Sequence, residues 1–160
     1  MSDFKEYDKN GVYIAYPENW TLQVTGLFSE NESADDEEGT TLTLTSPNGA
    51  FWLLKEHPLD VDLDDIADEV LQTMREMYND MEVEPIDRTV EGVWLVGYEM
   101  NFFYLDLVNI AKIQCFADAT RAFALFWQTG DQLITSAGEG DAPTEDVFEA
   151  ITVAMLRKWR

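Results

Sequence analysis

The sequence contains very few of the residues on which most catalytic and metal centres depend. Its 160 residues include one cysteine, Cys115, and one histidine, His57. A single cysteine cannot form a disulfide within the chain, and one residue of each kind cannot supply the three or four ligands of a Cys- or His-based metal site. No metal and no cofactor are therefore expected. Cys115 lies in an apolar run, which predicts a small buried core residue rather than a nucleophile.

Motifs of the common catalytic folds are also missing. The sequence has neither a Gly-x-Ser-x-Gly elbow nor a phosphate-binding Gly-x-x-x-x-Gly-Lys-[Ser/Thr] loop. His57 stands at the end of a predicted strand, where a surface or capping role is expected. Glu84 and Glu99 lie on neighbouring predicted strands, and an acid–base pair made from them remains an alternative. No catalytic residue is predicted.

Positive charge is scarce, since 10 Lys and Arg stand against 32 Asp and Glu, for a formal net charge of −22. Such a surface repels phosphate backbones and anionic lipids, so nucleic acid and bare membrane are excluded as partners. It suits a basic protein partner, cations, or solubility alone. The sequence has no apolar run long enough to span a membrane, and its start lacks the pattern of a signal peptide. A cytoplasmic location is therefore expected.

Apolar residues are abundant, at 46% of the chain with 12% aromatic. A chain of this length and composition is expected to form a single domain over residues 1–160 with a substantial core. The exception is residues 29–39, which contain six acids and no apolar side chain larger than alanine. This segment cannot bury enough surface to offset its ordering entropy, so a mobile acidic loop is expected there.

Alternating apolar residues predict strands in the first third of the chain. Residues 12–16 and 20–25 are expected to form a hairpin around Pro17-Glu18-Asn19. Residues 40–46 and 51–56 are expected to form another across Pro47-Asn48-Gly49, because Asn-Gly tolerates the positive φ of tight turns.

Apolar residues at spacings of three and four predict a long central helix over about 63–81. Asp62 is a suitable N-cap for it. A closing helix is expected over about 145–159.

Further strands are expected between the helices, and two turns set the register of three of them. If Asp106-Leu107 is a two-residue turn, Tyr98 lies opposite Cys115. A second turn near Asp118-Ala119 then places Ala122 on the other side of Cys115. The residues that face one another in both hairpins share one apolar face, so the two turns support the same register.

The opposite face of these strands mixes polar groups with large apolar ones. Glu99 is expected beside Gln114, and Asn101 beside Lys112. Such a surface occurs where a second layer covers a sheet, here as a polar ladder under the closing helix, or where something binds. The candidate binding residues are Glu99, Asn101, Phe103, Lys112, Gln114 and Trp127.

The segment Tyr16-Pro17-x-x-Trp20 resembles the aromatic-Pro-x-x-Trp turn that opens the PsbP-like superfamily. The likeness in strand and helix order extends over most of the chain. The superfamily includes an extrinsic photosystem II subunit, a Ran-binding nuclear transport factor and chaperones for type VI secretion effectors. The resemblance implies an α+β, single-domain α/β/α sandwich with a mainly antiparallel sheet, one long central helix and a C-terminal helix. It implies binding to other proteins and no common catalytic residue.

Three functional hypotheses follow. The first is a non-catalytic protein-binding or adaptor domain that recognises a basic or amphipathic protein segment. The second is a small-molecule-binding protein or an enzyme that uses only carboxylates. The third is a module that self-associates through its sheet edges, which the net charge opposes unless the contacting surface is locally neutral.

Overall fold

The computed structural model describes residues 4–9, 11–25, 41–57, 60–78, 80–104, 107–119, 121–130 and 144–159. Within these ranges the chain forms nine strands and two helices. They are β1 (Phe4–Lys9), β2 (Val12–Pro17), β3 (Thr21–Thr25), β4 (Thr41–Thr45), β5 (Phe51–His57), α1 (Leu63–Met77), β6 (Glu82–Val90), β7 (Val93–Tyr104), β8 (Leu107–Ala117), β9 (Ala122–Gly130) and α2 (Thr144–Arg157). The predicted acidic loop at 29–39 lies outside the described residues.

Seven of the strands form one antiparallel sheet in the order β3-β4-β5-β9-β8-β7-β6. Helix α1 packs on one face, against β7 and β8, and α2 packs on the other together with the β1–β2 hairpin. The predicted α+β fold, with helices on both sides of a mainly antiparallel sheet, is confirmed. Neither described helix has the length and apolar character needed to cross a membrane.

The first predicted hairpin is wrong. β2 pairs with β1 in a separate two-stranded sheet, and β3 pairs with β4 in the large one. Lys9 lies opposite Val12, which leaves a two-residue connection whose Gly11 has a φ of +80°. A glycine in that conformation suits a tight hairpin turn, so the hairpin closes upstream of the position expected. The Trp20 backbone N–H donates to the Pro17 carbonyl oxygen at 3.0 Å, and this turn leads from one sheet into the other.

The second predicted hairpin is confirmed. β4 and β5 pair antiparallel up to Thr45 opposite Phe51. Gly49 has a φ of +95°, and its N–H donates to the Ser46 carbonyl oxygen at 3.0 Å. Local turn chemistry therefore determined this part of the fold.

Helix α1 begins where the sequence predicted and ends earlier. The Asp62 carboxylate accepts a hydrogen bond from the Asp64 N–H at 2.9 Å, which caps the helix. The helix ends at Met77 rather than near residue 81, and Tyr78 is already extended. The Tyr78 ring stacks on Phe102, with ring centroids 4.2 Å apart. The apolar stripe continues past the helix because the following extended chain packs on the same core.

The register of the central strands differs from the prediction by two residues. Tyr98 lies opposite Ile113 rather than Cys115. Tyr104 lies opposite Leu107, so the connection contains residues 105 and 106 rather than 106 and 107.

The next hairpin shifts by the same amount, and Cys115 lies opposite Ala124. Its turn is longer than expected, because the Asp118 N–H donates to the Arg121 carbonyl oxygen at 2.9 Å. A shift of two residues preserves the side of the sheet on which each side chain lies. The predicted apolar face is therefore correct, and it packs against α1.

We predict that Gly97→Ala destabilises the protein by at least about 3 kcal/mol. A Cβ atom at Gly97 would lie 1.7 Å from the Ile113 carbonyl oxygen, and backbone of a paired strand cannot easily retreat. Urea unfolding measures the loss. The matched control is Gly92→Ala, where the added Cβ meets open space and only the φ of +81° is unfavourable. Equal losses for the two variants would show that β7 and β8 do not approach so closely.

Candidate functional site

Helix α2 covers only part of the mixed face that the sequence singled out. Phe148 and Ile151 of α2 are buried in one cluster with Trp52 of β5 and Trp127 of β9. The Trp52 indole N–H donates to the Thr152 hydroxyl oxygen at 3.1 Å, which fixes the helix over these two strands. The mixed face is therefore split into a covered and an uncovered half.

Two of the six predicted binding residues belong to the covered half. Trp127 is 1% exposed and packs on Phe148, with ring centroids 5.3 Å apart. Gln114 is fully buried, and its side-chain oxygen accepts a hydrogen bond from Arg88 Nε at 3.0 Å. α2 and its ion pair with β6 cover both residues, so neither is exposed on the surface of this structure.

The ion pair that closes this region joins β6 to α2. Both terminal nitrogens of Arg88 donate to the Glu149 carboxylate, at 3.0 and 3.1 Å. This two-point geometry orients the helix as well as attracting it. The sequence alone does not predict this pair, because its members are 61 residues apart and meet only once the position of α2 is known.

Glu99 and Lys112 lie at the border between the two halves. Glu99 faces Lys112 rather than Gln114, and Asn101 faces Ile110 rather than Lys112. The Lys112 ammonium lies 3.8 Å from a Glu99 carboxylate oxygen. It also lies 5.4 Å from the ring centroid of Trp127, within range of a cation–π contact. Lys112 therefore covers the edge of the buried tryptophan and neutralises the nearest carboxylate.

Phe103 lies in the uncovered half, at the end of the β7–β8 hairpin, and is 67% exposed. Val108 is 38% exposed on the same face, while Tyr104 at 52% and Leu107 at 37% are exposed on the α1 face of the hairpin end. They form cross-strand pairs, Phe103 with Val108 and Tyr104 with Leu107. We call these four residues the hairpin patch. The two-residue error in register hid the patch, because it placed Leu107 in the turn and Tyr104 opposite Asn109.

The hairpin patch continues on the α1 side of the sheet. The Tyr104 ring contacts Tyr78 edge-on, with centroids 5.7 Å apart. Met77, the last residue of α1, is 59% exposed.

Carboxylates of the neighbouring edge strand β6 lie beside the hairpin patch. Glu82 of the edge strand β6 lies opposite Asn101, and Glu84 lies opposite Glu99. Glu82 and Glu84 are both exposed. Lys112 balances the charge of Glu99. Glu82 and Glu84 therefore leave the surroundings of the hairpin patch with a net negative charge.

The described residues offer little for chemistry. No group of three His, Cys, Asp or Glu side chains among them is placed to hold a metal ion. A cavity of about 90 Å³ is lined by uncharged residues, among them Asn48, Gln128 and Thr129, and contains neither Glu84 nor Glu99. Cys115 is fully buried, as predicted for a core residue, and burial raises the pKa of its thiol to about 12. The charge of Asp64 adds to that shift.

Comparison with solved structures yields a distant likeness. No protein-family model matches the chain. No curated protein matches it either. A solved structure of a protein of unknown function from Pseudomonas aeruginosa is similar, at 8% identity over 94% of each chain and a TM-score of 0.47. We infer neither fold nor function from a likeness at this distance.

Two aromatic-to-alanine substitutions separate the covered half from the exposed one. We predict that Trp127→Ala lowers the free energy of unfolding by about 3–5 kcal/mol, since it empties a packed core position. Phe103→Ala changes it by less than about 0.5 kcal/mol, because the ring is mostly in solvent. Chemical denaturation with tryptophan-independent detection measures both. Similar losses for the two variants would contradict the division of this face.

The burial of Cys115 predicts slow thiol chemistry in the native state. Iodoacetamide should alkylate the folded protein at least about a hundredfold more slowly than the urea-unfolded protein, because the thiolate is the reactive form. Mass spectrometry of timed samples measures the two rates. Rapid stoichiometric labelling of the native protein would show that the thiol is accessible.

Proposed function

We propose that this chain is a cytoplasmic, non-catalytic protein-binding domain that recognises a basic, amphipathic segment of another protein. The observation that carries the proposal is the hairpin patch, an exposed apolar surface beside exposed carboxylates. The contacts proposed from the sequence that remain accessible are Glu99, Asn101, Phe103 and Lys112.

The apolar part of the proposed contact is contiguous. Single exposed apolar side chains are normal on protein surfaces, whereas contiguous groups mark binding sites. Phe103 and Val108 pair on the α2 face of the sheet and Tyr104 and Leu107 on the α1 face, so the hairpin patch surrounds the end of the hairpin, and Tyr78 and Met77 extend its α1 side. Phe103 and Tyr104 contribute large aromatic rings of the kind that dominate binding energy in protein interfaces.

The charge beside the hairpin patch specifies the partner. Glu82 and Glu84 are exposed on the edge strand, and the whole chain carries −22. These carboxylates would attract a partner with lysine or arginine next to its apolar residues from a distance. In the complex, each carboxylate would pair with a basic side chain of the partner. An acidic partner would be repelled. The proposed ligand is therefore a segment that alternates basic and apolar residues.

The location of the carboxylates favours binding over hydrolysis. Glu84 and Glu99 lie opposite each other on an open face of the sheet. Acid–base catalysis by two carboxylates needs a substrate held between them and shielded from water. Two cavities among the described residues are lined by residues other than these two.

We also propose that the chain is a distant member of the PsbP-like superfamily. Support comes from the Tyr16–Trp20 turn and from the antiparallel sheet between two covering layers. The superfamily's members mostly bind other proteins, which agrees with the function proposed above. An experimental structure with a different strand order would contradict the assignment.

The proposal is tested by identifying a partner and then removing Phe103. Affinity purification from the native cytoplasm, followed by mass spectrometry, should yield one stoichiometric protein that moderate salt releases. Binding of that purified protein to Phe103→Ala should be at least about tenfold weaker, since a large aromatic anchor is lost. Isothermal titration calorimetry measures the change.

Phe4→Ala is the matched control, because Phe4 is 58% exposed on β1, in the other sheet. It should bind as the wild type does. The double variant Glu82→Gln and Glu84→Gln should weaken binding mainly at low salt, because rim charges are screened as salt rises. Failure to recover a partner, or equal binding by Phe103→Ala and Phe4→Ala, would contradict the proposal.

A further inference from the structure

The two edges of the seven-stranded sheet differ in chemistry. β6, at one edge, contains Pro85 and the acidic residues Glu82, Glu84 and Asp87. A proline without an N–H and several charges are the features that discourage another strand from adding to a sheet edge. β3, at the other edge, has the sequence Thr-Leu-Gln-Val-Thr and has neither feature.

Both β3 and its neighbour β4 are uncharged. β3 and β4 together contain only Thr, Leu, Gln and Val, in a chain that is 26% charged. Lys55 and Glu56 of β5 are the first charges met on the way inward along the sheet. Strands are spaced at about 4.8 Å, so these charges lie about 10 Å from the edge, which is about one Debye length at 0.1 M salt. The strands at this edge therefore carry less charge than the edge strand β6.

β3 is also complementary to itself. We propose that β3 pairs antiparallel with β3 of a second copy of this chain, about a two-fold axis at Gln23. Thr21 of one copy then lies opposite Thr25 of the other, Leu22 lies opposite Val24, and Gln23 lies opposite Gln23. Like meets like at every position, as a two-fold interface requires. Among the described strands, β3 pairs only with β4, so no other described strand occupies its outer edge.

The two faces of β3 select this register. Leu22 and Val24 are half-buried and pack on the core under α2, whereas Thr21 and Gln23 are exposed on the other face. Pairing centred on Gln23 places the apolar residues of both copies on the same side and joins the two cores. In a register shifted by one residue, Leu22 would lie opposite Gln23. Apolar side chains would then lie opposite polar ones along the whole strand. The result is one continuous sheet shared by two copies.

This dimer is independent of the hairpin patch, which lies at the end of the β7–β8 hairpin. Each copy carries −22, so long-range repulsion opposes association. Salt screens exposed charges separated by more than a Debye length and leaves strand pairing intact. Sedimentation velocity should therefore show a dimer whose population rises between about 0.1 and 1 M salt.

Charge substitutions at the axis test the pairing directly. Gln23→Glu and Gln23→Lys each place like charges opposite each other, which should raise the dimer dissociation constant by about two- to fivefold. Mixing the two variants should restore or exceed wild-type association, since opposite charges then meet. The matched controls are Gln72→Glu and Gln72→Lys on an exposed part of α1, which change the net charge equally. They should leave the dissociation constant within about twofold of wild type.

A cross-link provides the second readout. Directly opposed residues of antiparallel strands have Cα atoms about 4.5–5.5 Å apart, which suits a disulfide. Oxidised Gln23→Cys should yield a covalent dimer that retains the native fold, while Gln72→Cys should remain monomeric. Native Cys115 is buried and does not interfere. A wild type that is monomeric at both salt concentrations overturns the proposal. So do Gln23 variants that match their Gln72 controls, or a Gln23→Cys protein that does not cross-link.

Discussion

The packing of α2 on the sheet determines which side chains of that sheet face are buried and which are exposed. Phe148 lies between two tryptophans, with ring centroids 5.4 Å from Trp20 and 5.3 Å from Trp127. At the other end of the helix Trp159 meets Phe123 at 4.9 Å, close to edge-on. Such aromatic pairs contribute about 0.5–1.5 kcal/mol each beyond their buried area. Thr152, which accepts from the Trp52 indole, also donates its hydroxyl to the Phe148 carbonyl oxygen at 2.9 Å.

Because α2 lies over β5 and β9, the strands beyond them are only partly covered. The Arg88–Glu149 ion pair extends the cover towards β6, and Lys112 closes the gap above Trp127. Past that point the same row of alternating side chains continues into solvent and ends at Phe103. A buried core and the exposed Phe103 thus occupy one face of one sheet, and the length of α2 sets the boundary between them.

This division explains what the sequence could predict. Asn48-Gly49 fixed a hairpin locally, and the alternation of apolar residues placed Cys115 and its neighbours on the correct face. The alternation also grouped Phe103 with Trp127, because both lie on the same side of the sheet. Which of the two is buried depends on the position of α2 on the sheet. Contacts between residues far apart in sequence determine that position. The predicted register was wrong by two residues because the alternation of apolar and polar side chains repeats every two residues. It therefore cannot distinguish registers that differ by two.

Charge is distributed as unevenly as burial. The edge strand β6 carries exposed carboxylates beside an apolar surface, while β3 and β4 carry no charge at all. Net charge keeps such a protein soluble and repels most surfaces like its own. The two contacts proposed above differ accordingly, since one is with a basic partner beside β6 and the other is with an uncharged strand at β3.

Hydroxyl-radical footprinting of the free protein tests the division of the sheet face most directly, because it reports side-chain exposure in solution residue by residue. Phe103 and Tyr104 should oxidise readily, while Trp52 and Trp127 should be protected despite the higher intrinsic reactivity of indole. Ready oxidation of Trp127 in the folded protein would mean that α2 does not cover this face, and that the core and the binding surface are not divided as described.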